Sequence, residues 1–186
     1  MGKFTKVSQE TFKEIQLEAG LILSKFDPTG ATEVQDTDIV CATTGGIEIA
    51  CKPTYTDYGE DIDNVPNNML EFKKIDGWEC SLAFTALNAS ASAIKMALGA
   101  ADVSGSKITP RMEAKEADAQ DIWWVGDRAD GGFVACCLKK ALSTEGLTLK
   151  TTKKGKGQLS CTLTGHMTLA TQNEVPMEFY VEEGAE

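Results

Sequence analysis

Residues 158–169 alternate, at every second position, between apolar or glycine residues and polar residues. Side chains of an extended chain point alternately to opposite sides, so this pattern predicts one long strand with a core face and a polar face. At roughly 3.3 Å per residue the strand would span about 36 to 40 Å, which suits a sheet that extends across subunits or a bent strand within one sandwich. The predicted core face is Leu159, Cys161, Leu163, Met167 and Leu169, and the predicted polar face is Ser160, Thr162, Thr164, His166 and Thr168.

Turn signals divide the rest of the chain into further short strands. A first strand over residues 17–26 is closed by Asp-Pro-Thr-Gly. Gly45-Gly46 and Asp76-Gly77 are typical of tight hairpins, because glycine tolerates the positive φ angles that such turns need. They predict one hairpin between strands 39–44 and 47–52 and another between strands 69–75 and 78–87. The strand 78–87 alternates, which predicts a core face of Trp78, Cys80, Leu82, Phe84 and Ala86. Later strands are predicted over 108–115, 122–126, 133–142, 147–151 and 179–181.

The period changes to that of a helix in the alanine-rich segment 88–98. Asn88 or Ser90 can cap its start, and Gly99 is a typical helix stop. A helix this short is marginal alone and must dock on the sheet. Together these elements predict a mainly β (α+β) fold, an antiparallel β-sandwich or rolled barrel with one short flanking α-helix, formed as a single domain over 1–186.

Residues 53–68 are rich in Pro, Asp, Asn and Tyr and have no periodicity that would bury one side. They predict a long exposed loop, and loops of that length are usually functional or disordered. Four carboxylates cluster there, at Asp57, Glu60, Asp61 and Asp63. Calcium is one ligand for such a cluster, but an EF-hand loop starting at Asp61 would place Phe72 where the bidentate glutamate is needed. A solvated or partner-docking loop is the favoured interpretation.

A basic run lies in the same acidic chain, at a predicted hairpin turn. It comprises Lys150, Lys153, Lys154 and Lys156. No aromatic residues interleave with the lysines to stack on bases, so the pattern gives little support for single-stranded nucleic acid binding. A solvated turn is the simplest interpretation. A third is that two copies of the protein meet through this basic tip and the acidic loop, a match that would set register and orientation.

Composition excludes several function classes. The 186 residues carry a formal net charge of −10, which argues against a nucleic acid ligand held over a broad surface. Charged residues are spread through the first twenty positions, so no secretory signal peptide or membrane span is expected. Synthesis in a cytosol is expected instead. Six cysteines with no CxxC pair and a single histidine do not predict a metal site; Cys80 and Cys161 are expected to be buried.

Enzyme signatures are missing from the sequence. GxSxG, GxxxxGK[ST], HExxH and a complete GxGxxG motif do not occur, so no catalytic, cofactor-binding or metal-binding residues are assigned. His166 is the only imidazole, and its place on a polar strand face predicts a solvated or interface residue. Trp123 and Trp124 would point to opposite faces of one strand. One can enter the core, and the other would then be either an exposed binding anchor or covered by a second layer such as the helix.

An ordered series of segments resembles the major tail protein, or tail tube protein, of long-tailed bacteriophages. The segments are TTGGIEI at 43–49, YGEDIDNVPNN at 58–68, WECSL at 78–82 and LGAAD at 98–102. The likeness covers about residues 15–170 in order and spacing. No single segment is specific; their succession carries the resemblance.

The resemblance implies a structural virion protein that assembles into stacked hexameric rings. The rings would form a hollow viral tail tube around the tape-measure protein, between tail initiator and terminator proteins, and phage DNA would pass through the lumen during ejection without specific binding. Assembly would take place in the bacterial host cytoplasm. The predicted polar face of Ser160, Thr162, Thr164, His166 and Thr168 would then line the lumen or meet a ring neighbour. The implied inter-subunit contacts lie in the long loop, at Tyr55, Asp57, Tyr58, Glu60, Asp61, Asp63 and Asn64, with the N-terminal arm 1–16 and residues 179–186 as secondary candidates.

A second interpretation comes from a different class of protein. A non-enzymatic cytosolic β-sandwich could bind a glycan or peptide through the loop 53–68 and an exposed Trp123 or Trp124. Exposure of an indole would favour this binding module. Rings or tubes in negative-stain electron micrographs would favour the tube subunit, and a glycan or calcium titration followed by Trp fluorescence would separate the two.

Overall fold

The computed structural model describes residues 7–30 and 33–184. Its strands are all antiparallel to their neighbours, which confirms the predicted mainly β fold with a flanking helix. The helices are α1 (Gln9–Lys13) and α2 (Ala91–Leu98). The strands are β1 (Gln16–Leu23), β2 (Ile39–Cys41), β3 (Thr43–Asp57), β4 (Lys73–Ala86), β5 (Ala101–Ser104), β6 (Lys107–Pro110), β7 (Gln120–Arg128), β8 (Phe133–Ser143), β9 (Thr148–Lys150), β10 (Gln158–Thr164) and β11 (Met177–Glu182).

The main sheet curls back on itself. Its strands follow the order β2-β1-β7-β8-β10-β4-β3, with β11 beside β8 and β9 beside β10. The first and last strands of this path, β2 and β3, are separated along the chain by Ala42 alone. Two hydrogen bonds hold that junction: Leu87 N–H donates to the Ala42 carbonyl, and Ala42 N–H donates to Asn88 Oδ1. The path is therefore a rolled antiparallel sheet.

Strand β8 belongs to both halves of the roll. Its first part pairs with β7 and β11, and its end pairs with β10. Lys140, between the two parts, has a φ of 47°, in the left-handed region that bulky residues rarely adopt. Its N–H donates to Asp121 Oδ1, at the point where the β7–β8 register shifts. This bulge turns the strand from one half of the sheet into the other.

Alternating apolar side chains from both halves form the core. Cys80, Leu82, Phe84 and Ala86 of β4 are buried, as the alternation predicts. On β10 the same is true of Leu159, Cys161 and Leu163. Helix α2 closes the core at one side, capped by Ser90 Oγ, which accepts from Ala93 N–H, and ended by Gly99 at φ 73°. The predicted helix, one of its two suggested caps and its stop are therefore confirmed.

Both predicted glycine hairpins are wrong. Gly45 and Gly46 lie inside β3, and Asp76-Gly77 lies inside β4, so each expected turn is part of a continuous strand. Gly45 and Gly46 have φ angles of 80° and 88°, and the β3–β4 register shifts across them. The same positive φ angles that suit a tight turn here form a bulge. A second register shift lies at Thr54/Tyr55, opposite Asp76.

Other predicted bounds differ less. The strand expected over 108–115 is only the four-residue β6, which pairs with β5, an element that sequence did not predict. Beyond it, Arg111 binds the nearly buried Asp118 carboxylate at 2.6 Å, and the Lys115 N–H donates to the same carboxylate. The Lys115 hydrogen bond and then the Arg111 guanidinium lower the pKa of Asp118.

Within the N-terminal arm 1–16, residues 1–6 lie outside the described part. Helix α1 and Ile15 follow, and the Ile15 carbonyl accepts from Ala129 N–H.

The two tryptophans do point to opposite faces of β7. Trp124 is in the core, and its Nε1 donates to the Ala19 carbonyl at 2.9 Å. Trp123 lies on the outer face, where it packs against Phe26 and Tyr180 with ring centroids 5.7 and 5.6 Å away. An aromatic cluster covers it, not the helix. Neither indole is therefore an exposed anchor.

Candidate assembly surfaces

The β3–β4 pair extends well past the rest of the sheet. Ser81 of β4 is the last residue paired with β10, opposite Thr164. Beyond it, residues 73–79 of β4 pair only with residues 52–57 of β3. We call these two segments, with the connecting residues 58–72, the projecting hairpin. From Ser81 to Lys73 its strand measures about 26 Å at 3.3 Å per residue.

The structure shortens the predicted loop. Residues 53–57 belong to β3 and not to a loop, because they pair with 73–78 of β4. The connection that remains is ordered by local hydrogen bonds. Asp57 Oδ1 accepts from Gly59 N–H at 2.9 Å, Tyr58 N–H donates to the Phe72 carbonyl, and Lys73 Nζ donates to Asn68 Oδ1. Asn64 and Asn68 take left-handed φ angles of 64° and 67°, which asparagine tolerates in turns.

Most predicted contact residues of the loop are exposed. Tyr55 and Tyr58 are 55% and 60% exposed. Glu60, Asp61, Asp63 and Asn64 are also exposed, and among the described residues the three acidic ones make no ion pair. Asp57 differs, since it is half-buried and holds the turn at Gly59. The structure therefore places three free carboxylates at the end of the projecting hairpin.

Apolar side chains accompany these carboxylates. Leu70 is 81% exposed, and Ile62 and Ile75 are each 46% exposed. Contact of such apolar side chains with water is unfavourable, and their burial stabilises an interface by about 25 cal/mol per Å². Their clustering on one short hairpin, beside two exposed tyrosines, is typical of a surface that packs on another protein. The sequence contained these residues, but only the observed strand pairing brings them together.

The basic tip lies at the opposite end of the sheet. Lys150 is the last residue of β9, and the other three lysines lie between β9 and β10. All four are exposed, and within the described part of the chain none has an ion-pair partner. After the lysines, Leu159 of β10 pairs with Ala86, the last residue of β4. The loop 58–72 is joined to the other end of β4, at its first residue, Lys73. The two charged groups are thus about 40 Å apart along β4 and do not meet within one copy.

The predicted polar strand face is confirmed in its first half only. Ser160, Thr162 and Thr164 lie on β10, away from its buried residues. Their partners on β4 are Thr85, Ala83 and Ser81, so two strands form a surface of small side chains without charge, here called the uncharged face. On β3 the uncharged face is bordered by Thr44 and Ala50, and the charged Glu48 lies between them opposite Ala83. The bulge at 45–46 makes a shallow depression beside it.

The second half of the predicted strand is wrong. β10 ends at Thr164, where Gly165 N–H donates to the Cys80 carbonyl and the chain turns away. Gly165 is packed so closely that an added Cβ would lie 2.7 Å from Leu138 Cδ1. His166 and Thr168 therefore leave the polar face: His166 is half-buried with Nδ1 3.3 Å from the Lys140 carbonyl, and Thr168 bonds Thr171. Met167 and Leu169, expected in the core, are 45% and 93% exposed.

The edge strands leave backbone groups open. Among the described residues, no strand pairs with the outer edge of β3, which is fifteen residues long. β11 likewise pairs only with β8, and its Phe179 and Val181 are 55% and 65% exposed. Long open edges are templates for pairing with another chain. Within the secondary candidate segment 179–186, residues 179–182 therefore form a strand with one open edge. Residues 185–186 lie outside the described part.

The described residues form no metal site. In residues 7–30 and 33–184 no three His, Cys, Asp or Glu side chains are placed to hold a metal ion. Cys80 and Cys161 are buried as predicted, and burial raises the pKa of each thiol to about 12. None of the helices described is both long and apolar enough to cross a membrane.

The chain matches no model of a known protein family, and a search of curated proteins finds no significant match.

Proposed function

We propose that this protein is a structural subunit of a bacteriophage tail tube, which assembles with copies of itself into stacked hexameric rings. The observation that carries the proposal is the projecting hairpin, a ribbon of two strands that extends beyond the sheet with exposed apolar and acidic side chains. The resemblance of residues 15–170 to tail tube proteins supplies the particular assembly. The proposal includes a virion location, a tape-measure protein in the lumen and DNA passing through it.

A projecting two-stranded ribbon needs a partner surface. A two-stranded ribbon without further packing is at best marginally stable in water. Trp78 anchors the base of this one to the core, but its outer part exposes Tyr58, Ile62 and Leu70. Contact with a neighbour would bury those side chains and order the ribbon at the same time. A second copy of the same chain fits this role, because it carries the complementary charge at its opposite end.

Charge at opposite ends favours a head-to-tail arrangement. The carboxylates of Glu60, Asp61 and Asp63 and the lysines of the basic tip do not pair within one copy, since they lie at opposite ends of β4, separated by about 40 Å of strand. They can pair when the hairpin of one copy meets the basic tip of the next. Such a contact joins two different surfaces, and repeated contacts of that kind generate closed rings or open stacks.

The uncharged face suits the lumen. Ser160, Thr162, Thr164 and their β4 neighbours offer hydroxyl and methyl groups but no cation that would hold a phosphate. The chain as a whole has a net charge of −10, which repels DNA at long range. A bore lined in this way would let DNA slide past.

Electron microscopy tests the assembly directly. Concentrated protein in negative stain is expected to form rings or tubes with a central channel. A protein that stays strictly monomeric at every concentration and salt tested, by sedimentation velocity as well as by microscopy, would overturn the proposal.

A shortened hairpin tests the surface. Replacing residues 60–69 by Asn-Gly should leave a folded monomer with unchanged far-ultraviolet circular dichroism and should abolish rings and tubes. Wild-type assembly by this variant would show that the hairpin is not the contact. A glycan titration followed by Trp fluorescence separates the alternative binding module, for which a saturable signal from the monomer is required.

A further inference from the structure

Cys51 and Cys80 lie directly opposite each other on β3 and β4, at the base of the projecting hairpin. Their sulfur atoms are 3.2 Å apart. Directly opposed residues of an antiparallel pair have Cα separations of about 4.5 to 5.5 Å, which a disulfide accepts. We infer that these two residues are an oxidisable pair that forms a disulfide across the base of the hairpin.

Little movement is needed to form this bond. A disulfide has an S–S distance of about 2.05 Å, so the two sulfurs must approach by about 1.2 Å. Both residues sit in a regular stretch of the β3–β4 ladder, between the two register shifts, where backbone pairing holds them opposed. Side-chain rotation can supply the approach without a change in the strands.

Access distinguishes Cys51 from the other thiols. Cys51 is half-buried on the open edge of β3, whereas the other five cysteines are buried. A small oxidant can therefore reach Cys51 first. Cys136 and Cys137 are neighbours on β8, but they pair with Trp124 and Trp123 and so point to opposite faces. They do not compete for an intramolecular bond with each other.

The oxidant we name is a small-molecule disulfide such as oxidised glutathione. The Cys51 thiolate attacks one sulfur of it, forms a mixed disulfide and releases one reduced thiol. Cys80 then loses its proton to solvent and attacks Cys51 Sγ, which forms the Cys51–Cys80 bond and releases the second reduced thiol. The protein loses two electrons and two protons, and the small disulfide gains them.

The bond would fix the hairpin where the sheet stops supporting it. Cys80 immediately precedes Ser81, the last β4 residue paired with β10. A covalent link at this position closes the whole segment 51–80 and prevents β3 from separating from β4 there. Glutathione keeps such a pair reduced in a cytosol, and an oxidising exterior allows it to form. The inference concerns the chain itself and stands apart from the proposed assembly.

Thiol counting tests the inference. Reduced protein is incubated with excess oxidised glutathione at mildly alkaline pH, the reagent is removed, and thiols are counted after denaturation. The count is expected to fall from six, the number of cysteines in the chain, to four. Peptide mapping should join Cys51 to Cys80, and a chain cleaved once within 58–72 should stay in one piece in a denaturing gel until it is reduced.

Three variants control the experiment. Cys51→Ala, at the open edge, should keep all its thiols apart from reversible mixed disulfides, and Cys80→Ala should stop at a glutathione adduct on Cys51. Cys137→Ala, on the outer face of β8, should still lose two thiols. A wild-type protein that keeps six thiols, retains only a glutathione adduct or links a different pair would overturn the inference.

Discussion

Exchanging the charges of the two ends is expected to stop assembly of each variant alone and to restore it in a mixture. One variant carries Glu60→Lys, Asp61→Lys and Asp63→Lys, and the other carries Lys153→Glu, Lys154→Glu and Lys156→Glu. All six positions are exposed and free of ion pairs among the described residues, so each substitution should change monomer stability by less than about 0.5 kcal/mol.

The expected loss of contact free energy follows from the three ion pairs in each contact. Exposed pairs contribute about 0.2 to 1 kcal/mol each, so removing three weakens a contact by about 0.6 to 3 kcal/mol. That corresponds to a critical concentration raised about 3-fold to 150-fold. Repulsion in the reversed variants adds to the loss. In a mixture, the basic hairpin of one variant meets the acidic tip of the other, and alternating copies regain every pair.

Sedimentation and electron microscopy at low and high salt provide the assay. The screening length falls from about 10 Å at 0.1 M salt to about 3 Å at 1 M, so the difference between wild type and a neutralised variant with Glu60→Gln, Asp61→Asn and Asp63→Asn should shrink. A matched neutralisation of Lys153, Lys154 and Lys156 to glutamine should give the same shift. If both reversed variants assemble alone, or if the mixture fails to assemble, the head-to-tail charge contact is wrong.

Three further predictions concern the fold, each measured by denaturant unfolding. Leu82→Ala in the buried part of β4 should cost about 2 to 5 kcal/mol, while Leu70→Ala, at an 81% exposed position, should leave monomer stability nearly unchanged; equal losses would contradict the described core. Gly20→Ala should cost about 3 kcal/mol, because its φ is 73° and the new Cβ would lie 2.4 Å from the Val125 carbonyl oxygen. Gly45→Ala, with a φ of 80° but open space around it, should cost about 1 kcal/mol, and the reverse order would refute the close approach of Gly20 to Val125. Asp118→Asn should lower the free energy of unfolding by about 2 kcal/mol at pH 7. Because the pKa of Asp118 is lowered in the fold, the stability advantage of the wild type over this variant should be lost as pH falls below about 4. A pH-independent difference would rule out the ion pair as its source.

Local patterns predicted the parts of the fold that depend on local chemistry. The alternation in β4 and β10 identified their buried residues, and Ser90 and Gly99 delimit helix α2 as their cap chemistry predicts. The turn predicted at Gly45-Gly46 failed for a physical reason. A positive φ serves a tight turn and a bulge equally well, and the choice depends on whether a distant strand continues the ladder. For Gly45-Gly46 that strand is β4, about forty residues further along the chain.

The candidate surfaces were only half predictable. Exposed acidic and basic residues could be found from composition and turn chemistry, and the structure bears out their exposure at Glu60 and Lys154. The projecting hairpin could not be found, because it exists only where β10 ends at Thr164 while β3 and β4 continue. The end of β10 is set in turn by Gly165, which packs against Leu138 and Pro176 from distant parts of the chain.

The rolled sheet and the projecting hairpin differ in how far apart their partners lie along the chain. Closing the roll brings β2 beside β1 and β10 beside β4, and the latter pairing spans about eighty residues. The hairpin, in contrast, is built from one continuous stretch, 52–79, whose two strands pair with each other. Its outer part, beyond the contact of Trp78 with the core, is therefore expected to fray and re-form while the roll stays folded. Amide hydrogens of Thr54 to Asp57 should exchange by this local opening, long before those of β7 and β8.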